Sequence, residues 1–319
     1  TLPKIKFTES KVVEDDFRRS LPQMNSYQYI TQHPERTISI LGITFDQFRE
    51  LSTQAMNREK AYQAQQEQQK HRVNQKGAGR SKSLSSIEEI CMTLFYVRDP
   101  HRFEVLGMQF DVSKTTANDR FHYWIQFIHD LLPASLVEEV SSPLELCELQ
   151  ATLKSQELIV DSFEQGRSRP LDNQQQKDCF SGKKARHTFK NQVISLPNGT
   201  DIVDVLSGAR GPEADITLMR QQLDVFDQEQ QFLGDKAYVG EAQLLTPKKK
   251  PRGGKLTLAE KEQNRTLSKR RIYIEHMIRR LRIFRILHGK FRLRSRCYQQ
   301  VMLTVCGLTR LRMGTFKFE

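Results

Sequence analysis

The chain has 319 residues, 37% hydrophobic and 28% charged, which suits a soluble globular protein of one large domain or two or three smaller ones. No run of about 18 apolar residues occurs, which excludes a membrane-spanning helix, and Thr1-Leu-Pro-Lys-Ile-Lys lacks the apolar core of a secretory signal. Cys91, Cys147, Cys179, Cys297 and Cys306 stand far apart with no Cys-x-x-Cys pair, so they read as reduced thiols of a cytosolic protein, neither a zinc site nor a disulfide framework. Fifty Lys and Arg against 38 Asp and Glu give a net charge of +12, and the excess is concentrated. Between residues 248 and 312 stand twenty basic residues and three acids, Glu260, Glu262 and Glu275. Such a block attracts a polyanion, because each phosphate neutralised releases condensed counterions. Ile274, Met277, Ile278, Leu281 and Phe284 form a helical apolar stripe within it, which marks a folded element and not a solvated tail.

In chain order, residues 1–45 carry the turn-prone Pro3, Pro22 and Pro34 and little else that assigns structure. Residues 44–73 lack Pro and Gly, which predicts a long polar helix capped by Thr44 or Asp46. Its apolar content thins after Tyr62, leaving a second half that is exposed, frayed or packed on a partner chain. A basic Gly/Ser joint follows at residues 75–83. Ser85-Ser-Ile-Glu-Glu89 then opens a helix whose apolar face carries Ile87, Ile90, Cys91, Leu94 and Phe95, and Asp99-Pro100 ends it. A short helix through Phe103, Leu106 and Gly107 stops at Phe110-Asp-Val112, and Ser113 caps the next one. Two helices joined by a tight turn follow the helix-turn-helix plan, with Lys114, Thr115, Thr116, Asn118, Asp119 and Arg120 on the helix that would enter a major groove. Many three-helix units do not bind DNA, and the basic joint just before this one favours DNA.

Beyond Pro133 and Pro143 the pattern changes. Glu157-Leu-Ile-Val-Asp161 is an apolar run ending in an acid. Strand-like stretches at residues 188–196 and 201–206 meet at the hairpin signal Pro197-Asn-Gly199. Asp215 can cap a helix reaching Phe226, Gln231-Phe-Leu-Gly-Asp235 is a second apolar run ending in an acid, residues 248–255 are a basic loop, and a long helix covers residues 267–287. The order strand, hairpin strands, helix, strand, helix is that of a ribonuclease-H-like α/β domain. The expected organisation is a helical region at 1–76 with a dimerising role, an all-α helix-turn-helix DNA-binding domain at 77–140, and a ribonuclease-H-like catalytic domain at 150–312.

An ionised Asp at the end of a buried strand is costly unless paired or metal-bound, and open α/β sheets place their sites at such ends. Asp161 and Asp235 on neighbouring strands, completed by Glu275 from a helix across the sheet, make an all-oxygen set suited to Mg²⁺ first and Mn²⁺ second. Two such ions can activate water against a phosphodiester, or use a DNA 3′-hydroxyl and turn hydrolysis into strand transfer. Each acid alone has a commoner reading: Asp161 and Asp235 as turn residues, Glu275 as a helical partner of Arg271 or Arg279. Their order in a strongly basic chain favours the metal site. Arg271, Glu275 and Arg282 share one helical face, where arginines can hold scissile-strand phosphates.

These segments resemble bacterial insertion-sequence transposases of the insertion sequence five type, related to the Harbinger branch of DDE transposases. The resemblance is carried by Leu158-Ile-Val-Asp161-Ser-Phe-Glu-Gln165, Phe180-Ser-Gly-Lys-Lys-Ala-Arg-His-Thr-Phe-Lys190, Gly234-Asp-Lys-Ala-Tyr-Val-Gly240 and Arg271-Ile-Tyr-Ile-Glu275-His-Met-Ile278. Phe103-Glu-Val-Leu-Gly107 and Val112-Ser-Lys-Thr-Thr116 look like the family's helix-turn-helix, so the likeness spans residues 40–310. It implies Asp161, Asp235 and Glu275 as the three catalytic acids, holding two Mg²⁺ ions. In the family's Tyr-x-x-Arg-x-x-x-Glu-(six residues)-Lys pattern, Arg271 and Glu275 fit, Ser268 replaces Tyr, and Arg282 replaces Lys. The loop before Asp215 lacks the His the family often has. Lys183, Lys184, Arg186, His187 and Lys190, with Arg279 and Arg282, are candidate DNA contacts near the site. The implied activity is cleavage of transposon ends at inverted repeats to 3′-hydroxyls and their joining to target DNA, by a dimer or larger assembly at the bacterial nucleoid. A domesticated DNA-binding regulator with a silent nuclease fold and a Mg²⁺ nuclease of repair are the competing readings.

Overall fold

The computed structural model describes residues 24–68 and 82–318. The first described elements are helices: α1 (Ser26–Gln32), α2 (Thr37–Ile40), α3 (Phe45–Gln68), α4 (Ser86–Arg98), α5 (Phe103–Phe110) and α6 (Lys114–Leu131). Two short helices, α7 (Leu136–Glu139) and α8 (Pro143–Lys154), lead into strand β1 (Leu158–Gly166). Then come α9 (Asn173–Cys179), β2 (Phe180–Ser181), β3 (Arg186–Ser195), β4 (Ile202–Arg210), α10 (Asp215–Leu223), β5 (Phe232–Leu233), β6 (Leu244–Leu245), α11 (Leu258–Leu281) and α12 (Tyr298–Met313).

Local chemistry sets several of these boundaries. Ser85 and Glu88 form a reciprocal capping box at the start of α4, and Thr257 and Glu260 do the same for α11. Because of that second box, α11 begins at Leu258, well before the expected residue 267, and it ends at Leu281 instead of 287. Asp111 adopts the left-handed region (φ 53°) between α5 and α6, and Ser113 Oγ accepts from the Thr116 N–H at 3.1 Å, so the helix-turn-helix turn is built as expected. The β3–β4 hairpin turns at Gly199 (φ +60°), where any Cβ would lie 2.8 Å from the Tyr273 carbonyl oxygen. The residues predicted to form the basic joint at 75–81, and the end of the long polar helix at 69–73, lie outside the described residues.

Sheet topology follows the ribonuclease-H-like order. β1 is central, antiparallel to β3 on one side and parallel to β5 on the other; β6 flanks β5, and β4 and β2 flank β3. The β1–β3 register pairs Asp161 with Val193 and Gln165 with Phe189. Alternation then sends the two faces of β1 into different cores. Ile159 and Phe163 join Val193, Ile274, Met277, Leu281 and the buried α12 in a core continuous with helices α1 to α6. Leu158 and Val160 join Ile194, Met219, Phe226 and Tyr238 under α8 and α10.

α12, which the sequence pattern did not announce, is the strut between the two regions. At Gly307 an added Cβ would lie 2.6 Å from both Cβ and the carbonyl oxygen of Leu132, so glycine lets α12 approach the end of α6. Arg310 on α12 is fully buried. Its Nε and Nη2 donate to the two Asp201 carboxylate oxygens at 2.9 and 3.0 Å, Nη2 also donates to Glu139 at 2.7 Å, and Nη1 donates to the carbonyls of Pro133 and Ser135. α3 buries Phe48, Leu51, Ala55 and Glu59 against α6 of the same chain, where Glu59 accepts from the Tyr123 hydroxyl at 2.9 Å. The apolar face of the first part of α3 therefore packs within the chain.

Candidate catalytic site and nucleic-acid interface

Asp161 is the fourth residue of a nine-residue strand, not its last as the apolar run suggested. What ends near it is the neighbouring strand. β5 pairs only Leu158↔Phe232 and Ile159↔Leu233, so Asp161 and Asp235 each lie two residues past the same rung. Asp235 follows directly on the paired rungs of β5, close enough for its charge to act on the Asp161 carboxyl. Asp235 caps the turn at Lys236–Tyr238, its Oδ1 accepting from the Ala237 N–H at 2.7 Å. Beyond this point the β5 side of β1 is open until Gly166 bridges to Lys290.

Asp161 is half-buried, and its charge is poorly compensated. One oxygen accepts from the Ser162 N–H at 2.8 Å, and the Arg271 guanidinium of α11 stands 3.8 Å from the other. Burial first pushes its carboxyl up to about 6, the nearby Asp235 and Asp215 charges push the same way, and Ser162 and Arg271 oppose them. The Tyr238 phenol rises well above its usual range for related reasons: burial, then the charges of Asp215, Asp161 and Asp235. Arg271 Nε is buried with no hydrogen-bond partner. A donor and an acid left short of partners beside one another leave room for a bound group.

On the opposite face of β1, Ser162 Oγ donates to Asp215 Oδ1 at 2.5 Å, and the same oxygen pairs with Lys190 Nζ at 3.2 Å. Lys190 also donates to the Glu213 carbonyl, and Thr188 Oγ1 donates to Glu164 at 2.6 Å. Asp215 is the first residue of α10, with Ala214 at the cap. Of this cluster the sequence singled out only Lys190, as a DNA contact: Ser162 and Asp215 are far apart in the chain, and only the acid closing the Gly208 loop hinted at them. A cleft of about 360 Å³ lies beside β1 and β3, with Ser162, Asp215 and Lys190 on one side and Lys183, Lys184 and Arg282 around it; Asp161, Asp235 and Arg271 are not part of its lining.

The predicted DNA contacts divide. Lys183, Lys184 and Arg186 are exposed on the β2–β3 turn, and Arg282 caps α11 with its guanidinium 5.1 Å from the Phe163 ring. Arg279 is exposed near the end of α11. Lys190, by contrast, is turned inward to neutralise Asp215, so it faces the cleft and not the outer surface. On α6, Thr115 is exposed and Thr116 Oγ1 lies 2.9 Å from Ser113 Oγ. Lys114 pairs with Glu104 at 2.6 Å, and Asn118 donates to Asp119 at 3.2 Å. Arg120 pairs at 3.2 Å with the buried Glu89, which also accepts from Trp124 Nε1. That carboxylate needs a cation inside the helical core, and Arg120 supplies it instead of reaching outward.

Glu275 is exposed on α11, one turn after Arg271 and on the face leading to Arg282. Ser268, where the family pattern has Tyr, donates to the Asn264 carbonyl at 2.8 Å. Among the described residues no three acidic, His or Cys groups lie close enough to hold a metal ion. The Asp161–Asp235 pair has the hard oxygen donors that suit a divalent cation. No helix among the described residues is long and apolar enough to cross a membrane.

Residues 160–310 match the family described as DDE superfamily endonuclease, and residues 82–134 match the helix-turn-helix of DDE superfamily endonuclease. The chain is 31% identical over 227 residues to a protein of Microchaete diplosiphon named probable transposase for insertion sequence element IS702, an alignment covering 69% of this chain and 78% of that one. Among solved structures, the Mos1 transposase paired-end complex with left transposon end is 12% identical, covers 58% of this chain and 62% of its own, and has a TM-score of 0.17. A pre-cleavage Mos1 transpososome is 10% identical over 80% and 86%, with a TM-score of 0.19. The fold rests on the strand order above and not on those superpositions.

Proposed function

The chain belongs to the DDE superfamily of insertion-sequence transposases, and from that premise we propose that it cuts the ends of its element to 3′-hydroxyls and joins them to target DNA. The observation that carries this reading is the Asp161–Asp235 pair, level across β1 and β5 beneath Arg271, with one carboxyl pushed up to about 6. Family members generally work with divalent metals. Asp161 and Asp235 would hold Mg²⁺ or Mn²⁺, with Glu275 as the third carboxylate, and the metal would polarise the phosphodiester and its attacking oxygen.

The chain's own groups then have separate tasks. Arg271 has a free, buried Nε–H beside Asp161 and receives a scissile-strand oxygen. Lys183, Lys184 and Arg282 hold flanking phosphates along the cleft beside β1 and β3. Ser162, Asp215 and Lys190 fix that strand from behind. Residues 77–140 recognise the element's ends, residues 150–312 cut them, and residues 1–76 support assembly on DNA at the nucleoid.

A plasmid carrying the element's terminal repeats tests this. The parent chain nicks at the repeat ends with Mg²⁺, and Asp161→Asn or Asp235→Asn lowers the rate at least about a thousandfold, equivalent to several kcal/mol of lost stabilisation. Undiminished cleavage by Asp161→Asn would sink the assignment. The exposure of Glu275 favours one alternative, a DNA-binding protein with a silent nuclease fold; in that case the parent binds the repeats and leaves both strands intact.

A further inference from the structure

The exposed stripe of α6 runs past the helix-turn-helix turn. Thr115, Asp119, His122 and Gln126 follow at helical spacing on the side away from the buried Phe121, Trp124 and Ile125. Residues 290–297, which join α11 to α12, lie beside the second half of that stripe. Between them is a cleft of about 650 Å³ with Arg292, Arg294 and Arg296 on one wall and Asn118, His122 and Gln126 on the other.

This segment is held from below while its arginines stay outside. The buried Phe291 donates its N–H to the Gly166 carbonyl at 2.8 Å, at the end of the strand that bears Asp161. Arg167 Nη2 donates to Ser295 Oγ at 3.1 Å, with its guanidinium 4.2 Å from the Phe189 ring. Tyr298, next along the chain, is buried and bonded to Asn191 and Gln165. Arg292, Arg294 and Arg296 are all exposed, and among the described residues no carboxylate lies within ion-pair distance of them. Two other exposed arginines of the same basic block are neutralised, Arg270 by Glu157 and Arg285 by Asp99, whereas Arg252, Arg279 and Arg282 have no acidic partner among the described residues. Asp119 is the single acid lining the cleft. Burial and the charges of Arg296 and Arg294 also lower the His122 pKa, which keeps that ring a neutral hydrogen-bonding group there.

We propose that this cleft is a second docking surface for double-stranded DNA, in which Arg292, Arg294 and Arg296 grip backbone phosphates beside the groove entered by α6. Three unpaired guanidinium groups in an open, polar channel suit a polyanion, and the continuous α6 stripe selects a duplex over a small anion. Because the shelf hangs from β1, a duplex gripped there is held by the recognition helix and the catalytic sheet together. The inference rests on the DNA-acting reading above.

Two native thiols provide the test. Cys297 lines the cleft and is half-buried, Cys147 is exposed on α8 away from it, and the other three cysteines are buried. The full chain is alkylated with and without a mixed-sequence DNA duplex of about three helical turns. At free duplex about ten times its Kd, alkylation of Cys297 slows about tenfold, while Cys147 is unaffected. Replacing the three arginines (R292Q, R294Q and R296Q together) leaves the unfolding midpoint unchanged and reduces the slope of log K against log salt by about 2–3, near 0.9 per phosphate released. Equal protection of both thiols, no protection of Cys297 by a bound duplex, or an unchanged salt slope overturns the cleft assignment and leaves the DNA-acting reading standing. Failure of the parent chain to bind any duplex overturns both.

Discussion

The acid–arginine pairs around Arg310 and around Arg271 are built in opposite ways. Around Arg310 all five N–H donors are used, on Asp201, Glu139 and two carbonyls, while Asp201 also accepts from the Ile202 N–H and the Thr315 hydroxyl. Around Arg271 the guanidinium stands 3.8 Å from Asp161 and its buried Nε has no partner. The first pair is closed and ties α12 to the β3–β4 hairpin and to the chain entering α7. The second leaves charge and hydrogen-bonding capacity unspent, at a cost to stability that only an additional partner removes.

Cutting the closed pair has the largest expected effect. Arg310→Met leaves Asp201 buried without its cation and lowers unfolding stability by about 3–5 kcal/mol, whereas Arg271→Met costs less than about 1 kcal/mol. Equal losses in denaturant titrations would erase the contrast.

The open pair is sharpened by pH. The Asp161 carboxyl sits at about 6 in the folded chain against an ordinary 3.8, so the native state holds that proton more tightly between those values. The resulting stability is fully present below 3.8 and is lost as pH rises through 6. Asp161→Asn removes the dependence. The variant is therefore more stable than the parent at pH 8 by up to about 3 kcal/mol, and equal to it at pH 3.5. A variant less stable than the parent at pH 8 would mean that Asp161 is satisfied where it stands.

A smaller effect than that of Arg310→Met or Asp161→Asn belongs to the support behind the strand. Ser162→Ala deletes the hydroxyl that donates to Asp215 and costs about 1–2 kcal/mol by chemical unfolding, since Asp215 keeps Lys190. A loss as large as that of Arg310→Met would make this cluster a second keystone instead.

Local signals in the sequence were readable. The Ser85 capping box, Asp99-Pro100, the Ser113 cap and Pro197-Asn-Gly199 each fix a boundary through neighbours a few residues away, and the ribonuclease-H-like order followed from them. Non-local satisfaction was not readable. α12 is buried on nearly every side, so its sequence lacks a polar face and shows little helical period. Arg120 and Lys190 look like DNA contacts, and Arg310 is one more residue of the basic block, yet each neutralises an acid buried or half-buried inside the fold. The two-residue strands β2, β5 and β6 are too short to show a period, although β5 is what sets Asp235 beside Asp161. At the site, the acids Asp161 and Asp235 were visible as ends of apolar runs. Their common level, and the partnerless Arg271 Nε, needed the register.

The most direct test of the open site is Mn²⁺ binding, followed by electron paramagnetic resonance, to the parent chain and to Asp161→Asn at neutral pH. The account predicts that the parent takes up Mn²⁺ with an affinity that the substitution lowers at least about tenfold. Identical binding by the two chains would contradict it.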